Sequence, residues 1–174
     1  MVKPRRAKPA QASLAANTDP RTGLPAIPAV GEAKRGTDGY MTYLLRQASS
    51  AVRLALDRAL AAEGMTYPQS SALTMIRAYD AISAADLARL TMLTPQTINV
   101  IVKALEARGA IVKHPDPVHG RILRLVITEE GRALQKRCRA RTAPIESNLR
   151  ARMSKTFEPA LRRWLVDIAM DYAN

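Results

Sequence analysis

The chain has 174 residues, 47% of them apolar and only 4% aromatic, and its 27 Lys and Arg outnumber 15 Asp and Glu for a net charge of +12. That length holds one ordinary domain with an appendage, and a core poor in aromatics favours helices over a β-sandwich. The charge surplus points to a polyanion partner, either nucleic acid or an anionic membrane, and a single cysteine, Cys138, excludes an internal disulfide and a Cys-rich zinc site.

Residues 1–37 form a regime of their own. They hold five of the eleven prolines, and seven basic residues (Lys3, Arg5, Arg6, Lys8, Arg21, Lys34, Arg35) against Asp19 and Glu32 leave a net of +5. Such a stretch buries too little to offset its ordering entropy, so a disordered basic arm is expected. It either sweeps DNA phosphates or a minor groove, or stays a solvated tail. Its longest apolar run, Leu24 to Val30, is broken by Pro25 and Pro28, so neither a signal peptide nor a membrane span is expected and the protein is read as cytoplasmic.

The folded part is expected over 38–174. Leu44, Leu45, Ala48, Val52, Ala55, Ala59 and Leu60 recur at helical spacing, predicting a long helix over about 40–62 that Gly64 ends. Thr66 caps a second helix, with Gln69 placed to reach back and Pro68 where no donor is needed; Leu73, Met75, Ile76 and Tyr79 are its buried side. Ser83 with Asp86 repeats the start signal for a short helix carrying Leu87, Ala88 and Leu90. Thr94-Pro95 then opens a helix to Arg108 that buries Ile98, Ile101, Val102 and Leu105 and stops at Gly109.

Beyond Gly109 the period changes to two. Ile111–His114 and Ile122–Ile127 read as strands of a hairpin, joined by a loop rich in turn residues from Pro115 to Arg121. Thr128 caps a long helix carrying Leu134, Cys138, Ile145, Leu149 and Met153, which Pro144 is expected to kink or break. A last helix from about Thr156 aligns Phe157, Leu161, Trp164, Leu165, Ile168 and Tyr172. The fold class expected is mainly α: a winged helix-turn-helix over about 66–127, with a two-stranded β-hairpin wing and flanking dimerisation helices at about 40–62 and 129–172.

In that arrangement the second short helix enters a major groove, so its leading residues must be small or polar and its rear face apolar. Thr94, Pro95, Gln96, Thr97 and Asn99 satisfy this, with Gln96 and Asn99 able to pair with adenine edges and Lys103 directed at phosphate. Arg121, after Gly120, is the candidate for a minor groove. The stripe Leu44, Leu45 at one end and Phe157, Leu161, Trp164, Leu165, Ile168 at the other is assigned to a dimer interface. Cys138 lies among cations but on an apolar stripe, which favours a buried thiol over a reactive one. The cations of 132–155 read as a solvated face, with phosphate contact as the alternative. No glycine-rich phosphate loop, catalytic set or metal spacing stands out, so no enzyme, cofactor or metal is expected.

The ordered set Leu87-Ala88, Leu105-Glu106-x-x-Gly109, Asp116-Pro117, Gly120-Arg121 and Thr128-x-x-Gly131 resembles the MarR family (multiple antibiotic resistance regulators), over about 38–172. The resemblance implies a homodimer built on the first and last helices, with two winged domains reading half-sites of a pseudo-palindrome in double-stranded DNA. It also implies a small-molecule effector, of a kind these residues do not identify, between the dimerisation helices and the winged domain. One position departs from the family pattern: an aspartate usually stands two residues before the wing arginine, and here it is His119. His119 is assigned instead a phosphate contact that strengthens on protonation. An architectural DNA-coating protein and a winged-helix protein-interaction module are the other function classes left open.

Overall fold

Each helix start that was legible in the sequence is closed by the side chain expected to close it. The computed structural model describes residues 19, 23 and 26–172. The first eighteen residues, and residues 20–22 and 24–25, of the expected arm lie outside the described residues. The chain divides into two units, residues 1–50 and 51–174.

In the first unit a 3-10 turn, Ala33–Arg35, precedes the start of helix α1 (Met41–Leu60). The Arg35 guanidinium donates to the Pro28 carbonyl at 2.8 Å and to Gln47 Oε1 at 3.3 Å, and Gln47 Nε2 returns a bond to the Arg35 carbonyl at 3.0 Å. Leu44 and Leu45 are half-buried.

In the second unit α1 ends in a 3-10 turn, Ala61–Glu63, and Gly64 takes the left-handed conformation at φ 61° that glycine adopts without a Cβ penalty. Helix α2 (Tyr67–Ala78) opens on the full capping box, with Thr66 and Gln69 each bonding the other's backbone. A two-residue strand β1 (Ile82–Ser83) leads into α3 (Ala84–Thr91), capped by Ser83. Met92 makes the turn in the left-handed region at φ 53°, and Thr94 caps α4 (Pro95–Ala107). Strands β2 (Ile111–Pro115) and β3 (Leu123–Ile127) form the hairpin. Thr128 caps α5 (Glu129–Ala151), and α6 (Phe157–Tyr172) follows.

The core lies in the reading head. Leu60, Leu73, Ile76, Leu87, Ile98, Leu105, Ile111 and Leu125 are fully buried, and Leu134 and Cys138 of α5 close the same cluster. At the head's junction with α5, the Thr128 hydroxyl donates to the Gly109 carbonyl at 2.6 Å and accepts from the Gly131 N–H at 2.9 Å. A Cβ on Gly131 would fall 2.0 Å from the Ala110 carbonyl oxygen, so the motif Thr128-x-x-Gly131 records a close backbone approach.

Several expectations need correction. The sheet has three antiparallel strands in the order β1-β3-β2, not two, because Ile82 and Ser83 pair with Leu125 and Arg124. Two residues are too few to show a period. Of the kink or break expected at Pro144, the break does not occur; α5 runs through it, with the Thr142 hydroxyl bonding the Cys138 and Arg139 carbonyls in the preceding turn. Tyr79, expected in the core, is 52% exposed because α2 has already ended at Ala78, and Leu90 likewise faces outward.

Candidate nucleic-acid interface

Helix α4 sorts its residues by chemistry. Ile98, Ile101, Val102 and Leu105 are buried, whereas Thr94, Pro95, Gln96, Thr97, Asn99 and Lys103 are all exposed. The Thr94 hydroxyl accepts from the Thr97 N–H at 3.2 Å and lies 2.9 Å from the Thr97 hydroxyl, so these two side chains hold the helix start. Gln96, Asn99 and Lys103 are left on the outer face with their polar ends in solvent. Val100, absent from the expected set, shares that face and is 69% exposed.

The wing is held from the first residue of its Asp116-Pro117 entry. Asp116, 6% exposed, accepts from the Val118 N–H at 2.8 Å and the His119 N–H at 2.7 Å, and pairs with the Arg124 guanidinium. Arg124 also reaches the Ala81 carbonyl, at 3.4 Å, tying the base of the wing to the turn before β1. The His119 N–H, then the Arg124 guanidinium, then the Val118 N–H hold the Asp116 carboxyl down at about 2, against an ordinary value of 3.8. The loop is closed by the Asp116 N–H on the Ile122 carbonyl at 2.8 Å and the Ile122 N–H on the His119 carbonyl at 2.7 Å. Thus Asp116, three residues before His119, orders the loop. An aspartate opening a turn-rich loop is a readable signal for such backbone bonds; its partner Arg124, on the far strand, is not. The His119 and Arg121 side chains are exposed on this loop.

Other cations are occupied within the chain. Arg108, at the end of α4, donates to the Glu63 and Gly64 carbonyls, both at 2.7 Å. Arg137 and Arg141 of α5 flank the Glu63 carboxylate at 2.9 and 3.5 Å, lowering its pKa. Part of the cationic run over 132–155 therefore joins α5 to the segment after α1. Cys138 is buried, and that burial pushes its thiol up, against a smaller downward pull from Ser70.

A cavity of about 1000 Å³ opens among α1, α2, α5 and α6 within the second unit. Val52, Leu56, Ile145 and Leu149 supply apolar wall, Ser70, Ser71 and Thr74 hydroxyls, and Arg139, Arg150 and Lys155 positive charge that exceeds the negative charge of Glu146 and Glu158. Gln135, almost fully buried on its floor, accepts from the Arg77 guanidinium at 2.6 Å.

Helix α6 buries no residue. Leu161 and Ile168 are partly covered, while Phe157 is 53% exposed, Trp164 38% and Leu165 46%. Among the described residues no helix is long and apolar enough to cross a membrane.

The family model described as MarR family matches residues 63–122, the span from the Glu63 hub to the wing. The HTH-type transcriptional repressor Rv2887 of Mycobacterium tuberculosis is 31% identical over 134 residues, 77% of this chain and 96% of that protein. The chain belongs to the MarR family. Solved structures of MarR-family proteins superpose on it. Rv2887 in complex with salicylic acid does so at 30% identity and a TM-score of 0.60, covering 76% of this chain and 98% of that one. The repressor CouR, a Rhodococcus jostii RHA1 protein, bound to a 23-mer DNA duplex, does so at 25% identity and a TM-score of 0.70, covering 75% and 92%. The span matched by the family model thus includes α4 and the wing loop through Arg121, and ends just before β3.

Proposed function

We propose that this chain is a homodimeric, sequence-specific DNA-binding repressor whose hold on a pseudo-palindromic operator is released by a small ligand. The observation that carries this reading is the face of α4. Ile98, Ile101, Val102 and Leu105 fill the core, and the outer side presents Gln96, Asn99 and Lys103 to solvent beside a wing ordered by Asp116. Gln96 and Asn99 read base edges, Lys103 and the His119 ring meet phosphate, and Arg121 enters the minor groove, while Thr94, Pro95 and Thr97 bring the helix start close to the backbone.

A second copy of the chain covers Leu44 and Leu45 on one unit and Phe157, Leu161, Trp164, Leu165 and Ile168 on the other, giving two reading heads one helical turn apart. The effector site is the cavity beside Gln135, where hydroxyls, Arg139 and Lys155 suit a small anionic amphiphile; the relative Rv2887 in complex with salicylic acid supports that choice. The protein acts without catalysis, in the cytoplasm, on double-stranded DNA.

Selection of random genomic fragments across a salt series tests the reading. Recovery of a common sequence with a steep salt slope is expected. Unselective steep binding would identify an architectural protein, and no binding an interaction module. Gln96→Ala should relax preference at one position per half-site by roughly 1–3 kcal/mol, whereas Arg121→Ala should weaken all sites alike. If the His119 ring meets phosphate, affinity should change between about pH 5.5 and 8 in the wild type and not in His119→Ala.

A further inference from the structure

Between Gln96 and Lys103, one exposed residue of α4, Val100, carries no hydrogen-bonding group in its side chain. Successive helical residues turn by about 100°, so Ile98, Ile101, Val102 and Leu105 gather on one side, and the direction opposite them falls within about 30° of Val100. Its neighbours there are Gln96, one turn earlier, and Lys103, three residues later; Val100 itself is 69% exposed. A lone exposed valine is ordinary on most of a protein surface. On this face, however, Gln96, Thr97, Asn99 and Lys103 are polar, and a β-branched residue is a poorer helix former than alanine, lysine or glutamate. Neither core packing nor local propensity accounts for a valine at the centre of the face.

Contact with a base does account for it. In the major groove the one apolar group on a base edge is the C5-methyl of thymine, which is read by apolar contact and not by hydrogen bonding. Four residues of helix rise about 6 Å, so Val100 sits within about two base steps of whatever Gln96 reads. Resting on the DNA-reading function proposed above, we infer that Val100 is a specificity-determining residue that packs against the C5-methyl of a thymine in each half-site. Gln96 and Asn99 then select by donors and acceptors, and Val100 by shape.

The test uses the full-length dimer and the duplex recovered by genomic selection. Each thymine is replaced in turn by deoxyuridine, which deletes the methyl and keeps the pairing edge. The wild type should lose about fourfold in affinity at one symmetric position per half-site, the worth of one buried methyl group. Val100→Ala, exposed and favourable to the helix, should fold normally and bind the thymine and uracil duplexes equally at that position. A flat uracil scan in the wild type, or an unchanged uracil penalty in Val100→Ala, overturns the inference while leaving the DNA-reading function standing. Failure to select any sequence overturns both.

Discussion

Helices α4 and α6 are both amphipathic, yet they treat their apolar sides in opposite ways. In α4, Ile98, Ile101, Val102 and Leu105 are buried by the chain's own head, and the outward side carries Gln96, Asn99 and Lys103, with Val100 and Ala107 exposed beside them. In α6 no residue is buried: Phe157, Trp164 and Leu165 stand exposed on one side, and Val166 and Met170 on the opposite one. The first helix is finished by the fold it belongs to. The second leaves Phe157, Trp164 and Leu165 in water, on the side that the proposed dimer covers. Stability should therefore be independent of concentration at α4 and tied to it at α6.

The largest effect should come from α4. Leu105→Ala removes a fully buried side chain and should cost about 2–5 kcal/mol in urea unfolding, by the same amount at every protein concentration. In α6, Trp164→Ala should cost roughly 2 kcal/mol of association, the level of an interface hot spot. Sedimentation should show the variant dissociating at concentrations where the wild type stays dimeric, with helicity kept. A concentration-independent loss at Trp164 would erase the contrast between the helices.

Most of the head was legible in the sequence because its signals are local. Thr66, Ser83, Thr94 and Thr128 each bond a backbone N–H three residues on, and a cap followed by an apolar stripe is visible without any tertiary knowledge. What escaped notice joins distant segments. Arg124 meets Asp116 across the hairpin, and Arg137 meets Glu63 from 74 residues away. β1 exists only because β3 is there to pair with it. The apolar stripe of α6 was visible too, but the described residues bury none of it. At the DNA face, the polar residues were picked out because hydrogen-bonding groups announce themselves; Val100 became conspicuous only once its exposure was known.

A smaller effect sharpens how the head keeps its wing. The Asp116 carboxyl is depressed to about 2 from 3.8, so in that interval the unfolded state binds more protons and stability rises with pH. Its contribution is fully present above about pH 3.8 and is lost as pH falls through about 2. The stability difference between wild type and Asp116→Asn should shrink over that window and be flat from pH 5 to 7, by roughly constant denaturation midpoints. A difference that persists unchanged below pH 2 would remove Asp116 from the wing's support. The smallest effect expected is none: Cys138, buried with its thiol raised, should resist thiol reagents in the native protein and react only on unfolding.

The most direct measurement of a two-headed reader is affinity against half-site spacing. With the selected duplex, inserting about five base pairs between the half-sites turns one recognition face to the far side of the helix, and inserting about ten returns it displaced by one turn. A rigid dimer held through α6 should lose at least a hundredfold in affinity with the shorter insertion, falling to the level of a single half-site. Equal affinity for the parent and the five-base-pair duplex would contradict a dimer that reads both half-sites at once.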